Sequence, residues 1–453
     1  MREIPALGPD GPCRTRRSAT LTDSAGHEVA ELAQAPALMV SHWISRLRDT
    51  APLPASEVIG VLAKAADVFA DQEIMGDDLA RHERRVAELT GTPVTVVREC
   101  DRLILDALRH PGRAPAQARP TGCTVEDVGT APVAQGAVWV PRGEVFAVHA
   151  AGNSPGVHAM WLEALTLGYR VVVRPSQRDP LTPGRLVTAL RTAGLPADQV
   201  LVAPCDHSTA DQIIDRADLA LVYGGQDVAD SYGGRDDVRL QGPGRSKLLV
   251  TSDADRGQGL ALAREGALYH AGTACTATTA VLVERDAPRF AADLAAELDG
   301  LPAAGPADED AALPCMPVER AGQLVAAVTR WAQGSIVHLA PRVERVGRNG
   351  TQATVTPAVV EVASADSPLL AHEMPFPCVW VAPWDDGDLA ALDDSLVLSL
   401  HTTHPELATR AARLGRVANV YHGRPTSWTH PDVPHDGYLG TFLMRAKGLA
   451  LAP

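Results

Sequence analysis

One cysteine, Cys275, sits among small residues in the run Tyr269-His-Ala-Gly-Thr-Ala-Cys-Thr-Ala-Thr, directly after a helical pattern over 259–268. Small neighbours let a substrate carbonyl approach the sulfur closely. A thiolate there can attack that carbonyl and hold it as a thiohemiacetal or a thioester. In isolation such a window more commonly holds a buried structural cysteine, since free Cys behaves as a small apolar residue. Its chemistry therefore depends on what else the chain brings to the same place.

The elements that would position the sulfur are legible as an alternation. From residue 144 the pattern runs strand 145–149, helix 155–167, strand 170–173, helix 181–192, strand 200–203, helix 209–216 and strand 219–223. Short apolar strands alternating with helices predict a parallel sheet covered on both faces. Ligands of such sheets bind beyond the carboxyl ends of the strands. Asn153, Pro175 and Gly224 each follow a strand end, which nominates them on architecture alone. A second alternating unit starts after residue 257, with strands expected at 280–283, 358–362, 379–381 and 397–400 and helices around 289–298 and 318–333.

Residues 1–25 read as irregular, 27–110 as helical segments, 111–120 (PGRAPAQARP) as a linker and 123–140 as a β-prone arm or hairpin. The expected division is a helical flanking region over 1–120, an arm over 121–140, a dinucleotide domain over 141–256, a thiol domain over 257–425 and a C-terminal arm over 426–453.

Several windows, read together, resemble the aldehyde dehydrogenase superfamily from about residue 141 onward, with the acyl-CoA reductase (long-chain fatty acid reductase) branch as the nearest flavour. In PRGEVFAVHAAGNSPGVHAMWLEAL, Asn153 falls where that family keeps an amide that stabilises an oxyanion. VVVRPSQRDPLTP resembles the strand end that touches the cofactor's adenosine ribose. There Arg174, Pro175, Ser176 and Gln177 stand where the family shows Lys-Pro-Ser-Glu. A carboxylate at the last position repels a 2′-phosphate and a neutral Gln does not, so the substitution favours NADPH, with NADH as the alternative. ALVYGGQDVADSYGG resembles the family's turn after a strand, in which Gly224, Gly225 and Gln226 let backbone approach a pyrophosphate. HEMPFPCVWVAP resembles the Glu-x-Phe-Gly-Pro segment. The resemblance implies that Glu373 bonds the nicotinamide ribose, and Pro377 matches; Phe376 is one position late.

The most informative departure is in RLQGPGRSKLLV, where Gln241 stands in place of the family's glutamate. Oxidation of an aldehyde to a free acid needs a base that activates water against the thioester. A glutamine cannot accept that proton. The resemblance with this change implies reduction of an acyl thioester to an aldehyde, the donor being acyl-CoA or an acyl carrier protein. The alternatives are aldehyde oxidation, or an idle family member that serves as a binding partner. In HAGTAC, Gly272 matches the family while His270 and Thr273 depart from it, and a packing role is expected for His270. Ala418-Asn-Val420 resembles a late strand leading toward the substrate channel, and the resemblance implies a homo-oligomer.

Composition closes off other classes. A net charge of −14 disfavours a nucleic-acid partner. No 18-residue apolar run is present, so no membrane span is expected. Cysteines at 13, 100, 123, 205, 275, 315 and 378 are scattered and lack a CxxC pair, which fits a reducing cytoplasm and no structural metal site. His401-Thr-Thr-His404 has ligand-like spacing but no partner set, so capping or solvation is the expected role.

Overall fold

The structure, a computed structural model, describes residues 2–125, 135–347, 350–385 and 387–450. Two parallel-sheet lobes carry the functional cleft. In the first lobe a seven-stranded sheet runs in the order Val238–Gln241, Leu219–Tyr223, Val145–His149, Arg170–Arg174, Val200–Val202, Ala6–Gly8 and Gly11–Cys13. Its first five strands are parallel, and Ala6–Gly8 then Gly11–Cys13 add antiparallel at the far edge. Every residue of Val145–His149 is buried, as a strand covered on both faces requires. The chain steps outward from this strand through 170–174 and 200–202, then returns to its other side with 219–223. The order reverses there, so the crevice beyond these carboxyl ends is the switch point at which such sheets take ligands.

The second lobe is another seven-stranded sheet, ordered Ile336–Leu339, Ala358–Glu361, Cys378–Pro383, Ala280–Val283, Lys247–Val250, Ser395–His401 and Val417–His422. All its pairings are parallel except that of the first strand. The apolar residues of these strands pack under the helix Ala287–Leu298, whose N-cap Asp286 accepts the Arg289 N–H. The two sheets are joined by the short segment 242–246.

Several expectations are corrected. Of the 1–25 stretch, residues 2–25 carry short strands rather than being irregular, and Arg2–Ile4 pairs with Glu28–Ala33. The supposed linker contains the helix Arg113–Ala118, whose Ala118 is buried. The helix expected over 155–167 is broken into a 3-10 turn, Pro155–Ala159, and a short helix, Leu162–Thr166. Within the expected 123–140 arm, Cys123–Val125 and Gln135–Pro141 pair in parallel, which excludes a simple hairpin between them; residues 126–134 lie outside the described residues. The tail does more than form an arm. Met444–Ala450 pairs antiparallel with Gln135–Pro141, and before reaching that strand the chain passes directly over Cys275.

Among the described residues, no helix is long and apolar enough to cross a membrane, and no group of three or more His, Cys, Asp or Glu side chains is placed to hold a metal. In the HTTH run, His401 Nε2 lies 2.7 Å from the Asp255 carbonyl, and Thr403 bonds Asp253.

Candidate active site

Cys275 is delivered by a sharp turn. The helix Arg256–Leu268 starts on Asp255, whose carboxylate accepts the Gln258 N–H at 2.7 Å. At its other end His270, Ala271 and Gly272 adopt φ of 48°, 58° and 72° in succession. Left-handed backbone is costly for residues with a Cβ and persists only where packing enforces it. Here Gly272 passes so close to the second lobe that a Cβ would lie 2.5 Å from the Pro377 nitrogen. His270 is buried, stacked on Tyr269 with centroids 4.1 Å apart and 3.5 Å from Glu99. It therefore packs the turn, as the sequence predicts. Phe376 is also part of the core, 1 % exposed.

The Cys275 carbonyl is clamped from the interlobe segment. Ser246 Oγ donates to it at 2.9 Å, and a Cβ on Gly244 would fall 1.8 Å from the same oxygen. Only glycine permits that approach. The Cys275 side chain is left half-buried at the cleft.

The principal feature the sequence does not reveal is the sulfur's partner. His435 Nε2 stands 3.3 Å from Cys275 Sγ. The other ring nitrogen faces Asp436 Oδ1 at 3.7 Å, an ion-pair rather than a hydrogen-bond distance. Asp436 is held in turn by Gln241, whose Nε2 donates to Oδ2 at 2.8 Å, and by Arg239 at 3.1 Å. Asn419 donates to the His435 carbonyl. Burial of the imidazole works against its charged form. The negative charge at Cys275 and the Asp436 carboxylate outweigh that and hold its pKa up at about 10. The Asp436 carboxyl stays below the ordinary range despite its burial, through His435 and Arg239. The arrangement sets a basic ring nitrogen against the sulfur, the pairing by which a cysteine nucleophile is activated.

Asn153 lies across the cleft, where its Nδ2 donates to the Thr273 carbonyl at 2.9 Å. The structure therefore brings Asn153 beside the Cys275 turn. The second Nδ2 proton remains to meet an oxyanion. Gln241 sits 9 % exposed, committed to Asp436.

The residues expected to meet a cofactor lie at or just beyond the ends of the first-lobe strands, apart from Glu373. Arg174 ends its strand with a buried Nε that has no hydrogen-bond partner. Pro175 is buried, Gln177 is exposed, and Ser176 Oγ accepts the Arg178 N–H at 3.2 Å. A Cβ on Gly152 would lie 2.3 Å from Ser176 Oγ, so these two loops are in contact. At Gly224 a side chain would meet Val228, while at Gly225 it would enter open space over the strand ends. Gln226 bonds Arg245 and Asp230. Glu373 accepts from the Arg245 N–H at 2.8 Å and the Gly244 N–H at 3.2 Å, and burial raises its pKa. Glu373 and Gln226 thus both anchor the interlobe segment. Arg174 lies beside a neutral Gln177, and the glycine backbone at Gly225 faces open space that could take a dinucleotide.

A cleft of about 270 Å³ leads outward from His435 past Met160, Glu163, Val433 and Tyr438. Burial lifts the Glu163 pKa to about 8, so at neutral pH this carboxyl is mostly protonated.

Two parallel-sheet lobes, with Cys275 at the crevice where the strand order reverses, define a two-lobed α/β fold. The sequence profile of the Aldehyde dehydrogenase family matches residues 26–451, and the chain belongs to that family. It is similar to human aldehyde dehydrogenase 1A1, 29% identical over 143 residues, or 29% of this chain and 28% of that one. It is also similar to betaine aldehyde dehydrogenase of Rhizobium etli, 28% identical over 177 residues, covering 35% of this chain and 36% of that one. The aligned segments thus span about a third of these relatives or less. Among solved structures, the aldehyde dehydrogenase KauB from Pseudomonas aeruginosa superimposes with a TM-score of 0.82 at 17% identity, covering 99% of this chain and 96% of that one. An NAD+ complex of aldehyde dehydrogenase from Bacillus cereus gives 0.79 at 16% identity, with coverage of 99% and 96%. 3,6-Anhydro-L-galactose dehydrogenase, in complex with NAP, gives 0.79 at 18%, covering both chains fully. These neighbours share the α/β fold.

Proposed function

We propose that this protein oxidises an aldehyde with a nicotinamide dinucleotide through a covalent adduct on Cys275. The observation that carries the reading is the 3.3 Å contact between Cys275 Sγ and His435 Nε2, at the mouth of the crevice between the lobes. His435 takes the thiol proton, the thiolate adds to the aldehyde carbon, and the oxyanion meets the Asn153 amide and the Cys275 N–H. The dinucleotide, when bound, supplies the hydride acceptor that turns the thiohemiacetal into a thioester. Arg174 beside the neutral Gln177 favours NADP+ over NAD+. The names of the related proteins, aldehyde dehydrogenase 1A1 and betaine aldehyde dehydrogenase, support oxidation of an aldehyde.

The converse reading, reduction of an acyl-CoA or acyl-carrier thioester to an aldehyde, is supported by Gln241, which cannot act as a base. Incubation of an aldehyde with NADP+, with and without CoA, against acyl-CoA with NADPH separates the two. Oxidation predicts free acid and NADPH in equal amounts without CoA. Aldehyde released from acyl-CoA, with no acid formed in the other direction, would overturn it.

A further inference from the structure

We propose that His435 acts twice at Cys275: after taking the thiol proton, it takes a proton from the water that hydrolyses the acyl-enzyme, so the tail supplies the hydrolytic base that position 241 lacks. This rests on the oxidation reading above and deepens it.

The geometry permits both acts. Nε2 faces the sulfur at 3.3 Å, and about a third of the side chain, 34%, opens on the cleft, so water can stand beside the same nitrogen. The ring cannot turn away. Asp436 faces Nδ1, Gln241 and Arg239 fix Asp436, and Asn419 fixes the His435 carbonyl. The loop carrying both residues is tied at its far end by the Met444–Ala450 strand. His435 is a catalytic residue in this scheme, while Asp436 and Gln241 are positioning residues.

Acylation itself resets the base. While the thiolate is free, its charge and that of Asp436 keep the proton on the ring against the cost of burial. A thioester carries no charge. Once it forms, the Cys275 contribution vanishes while the burial cost remains, which weakens the ring's hold on its proton. The neutral ring keeps Nδ1–H toward Asp436 and presents the Nε2 lone pair beside the thioester. Other neighbours do not compete for this proton. Burial first, then the Asp436 and Cys275 charges, hold the Tyr223 hydroxyl in its protonated form, and burial keeps Glu163 mostly neutral. The outer wall of the cleft carries Asp106, Arg113, His110 and His430.

The hydrolytic step then balances without an oxidant. Water oxygen bonds the acyl carbon, its proton passes to Nε2, and the carbonyl pair moves onto the oxygen near Asn153. Collapse breaks the C–S bond, the electron pair leaves on Cys275, and the carboxylic acid ionises. One water is consumed, and the thiolate–imidazolium pair is restored.

The test loads acetyl onto Cys275 from p-nitrophenyl acetate at pH 9, with no dinucleotide present. The enzyme is moved to pH 7.5 and loss of the acetyl mass is followed on intact protein. His435→Gln is expected to slow deacetylation about 100-fold or more, within the range that general-base catalysis supplies. Asp436→Asn should slow it about tenfold. Deacetylation of His435→Gln within threefold of the unaltered protein overturns the proposal. If that variant fails to fold, Asp436→Asn decides, and an unchanged decay there overturns it too. The aldehyde assay reports separately on the parent reading: His435-dependent deacetylation with no NADPH from any aldehyde would leave this step standing and the oxidation reading refuted.

Discussion

Gln241 donates its side-chain amide to Asp436 at 2.8 Å, which ties the end of a first-lobe strand to a loop nearly two hundred residues later. The residue that in sequence looks like the loss of a base is in structure the brace of another carboxylate.

Gln241→Glu therefore does not restore a base. It sets two carboxylates together in a buried corner and removes a hydrogen bond to a charged group, a loss of about 1.5–3 kcal/mol. The expected outcome is a lower melting temperature and a reduced kcat for acid formation. An increased rate of acid formation from aldehyde would show that position 241 itself reaches the attacking water.

The turn before Cys275 makes a second prediction. Gly272 has φ of 72° and no room for a Cβ against Pro377. Gly272→Ala should cost at least about 2 kcal/mol of stability through backbone strain and the clash. It should also slow alkylation of Cys275 by iodoacetamide, because the sulfur moves away from His435. Denaturant titration and timed alkylation check the two effects.

Much of the frame was legible because its signals are local. The strands from Val145–His149 to Leu219–Tyr223 are short apolar runs, and the residues after them, Asn153, Pro175 and Gly224, lie where strand ends place ligand groups. Cys275 and Glu373 stand in windows a few residues long. His435 carries no such signal. It is 160 residues from the sulfur, in a Pro-, Asp- and Gly-containing stretch that reads as an ordinary turn, and only tertiary packing brings it to Cys275. The N-terminal strands were illegible for another reason. Arg2–Ile4, Ala6–Gly8 and Gly11–Cys13 are three residues each, too short to show alternation, and long-range pairing fixes them.

Glu163 gives a pH prediction with a definite sign. Burial raises its folded-state pKa to about 8 from an ordinary 4.5. The folded protein therefore binds more protons than the unfolded chain between those values, and stability falls as pH rises through that window. The loss amounts to on the order of 3 kcal/mol by pH 7. Thermal melts should show Glu163→Gln with a flatter pH profile and a higher midpoint at pH 8; identical profiles would place the Glu163 pKa in the normal range.

In the proposed reading, Gln177 sets the choice of cofactor. Introducing a carboxylate by Gln177→Glu should repel a 2′-phosphate and move the NADP+ to NAD+ ratio of kcat/KM toward NAD+ by about tenfold, or ~1.4 kcal/mol. An unchanged ratio would mean that this side chain does not face the adenosine ribose.

The most direct measurement is rapid acid quench of the protein with an aldehyde and NADP+, followed by peptide mass analysis alongside NADPH absorbance. The account predicts an acyl group on the peptide carrying Cys275, appearing at the rate of the first NADPH turnover and absent in Cys275→Ala. NADPH formed at full rate in Cys275→Ala, or an acyl group found on any other residue, would contradict it.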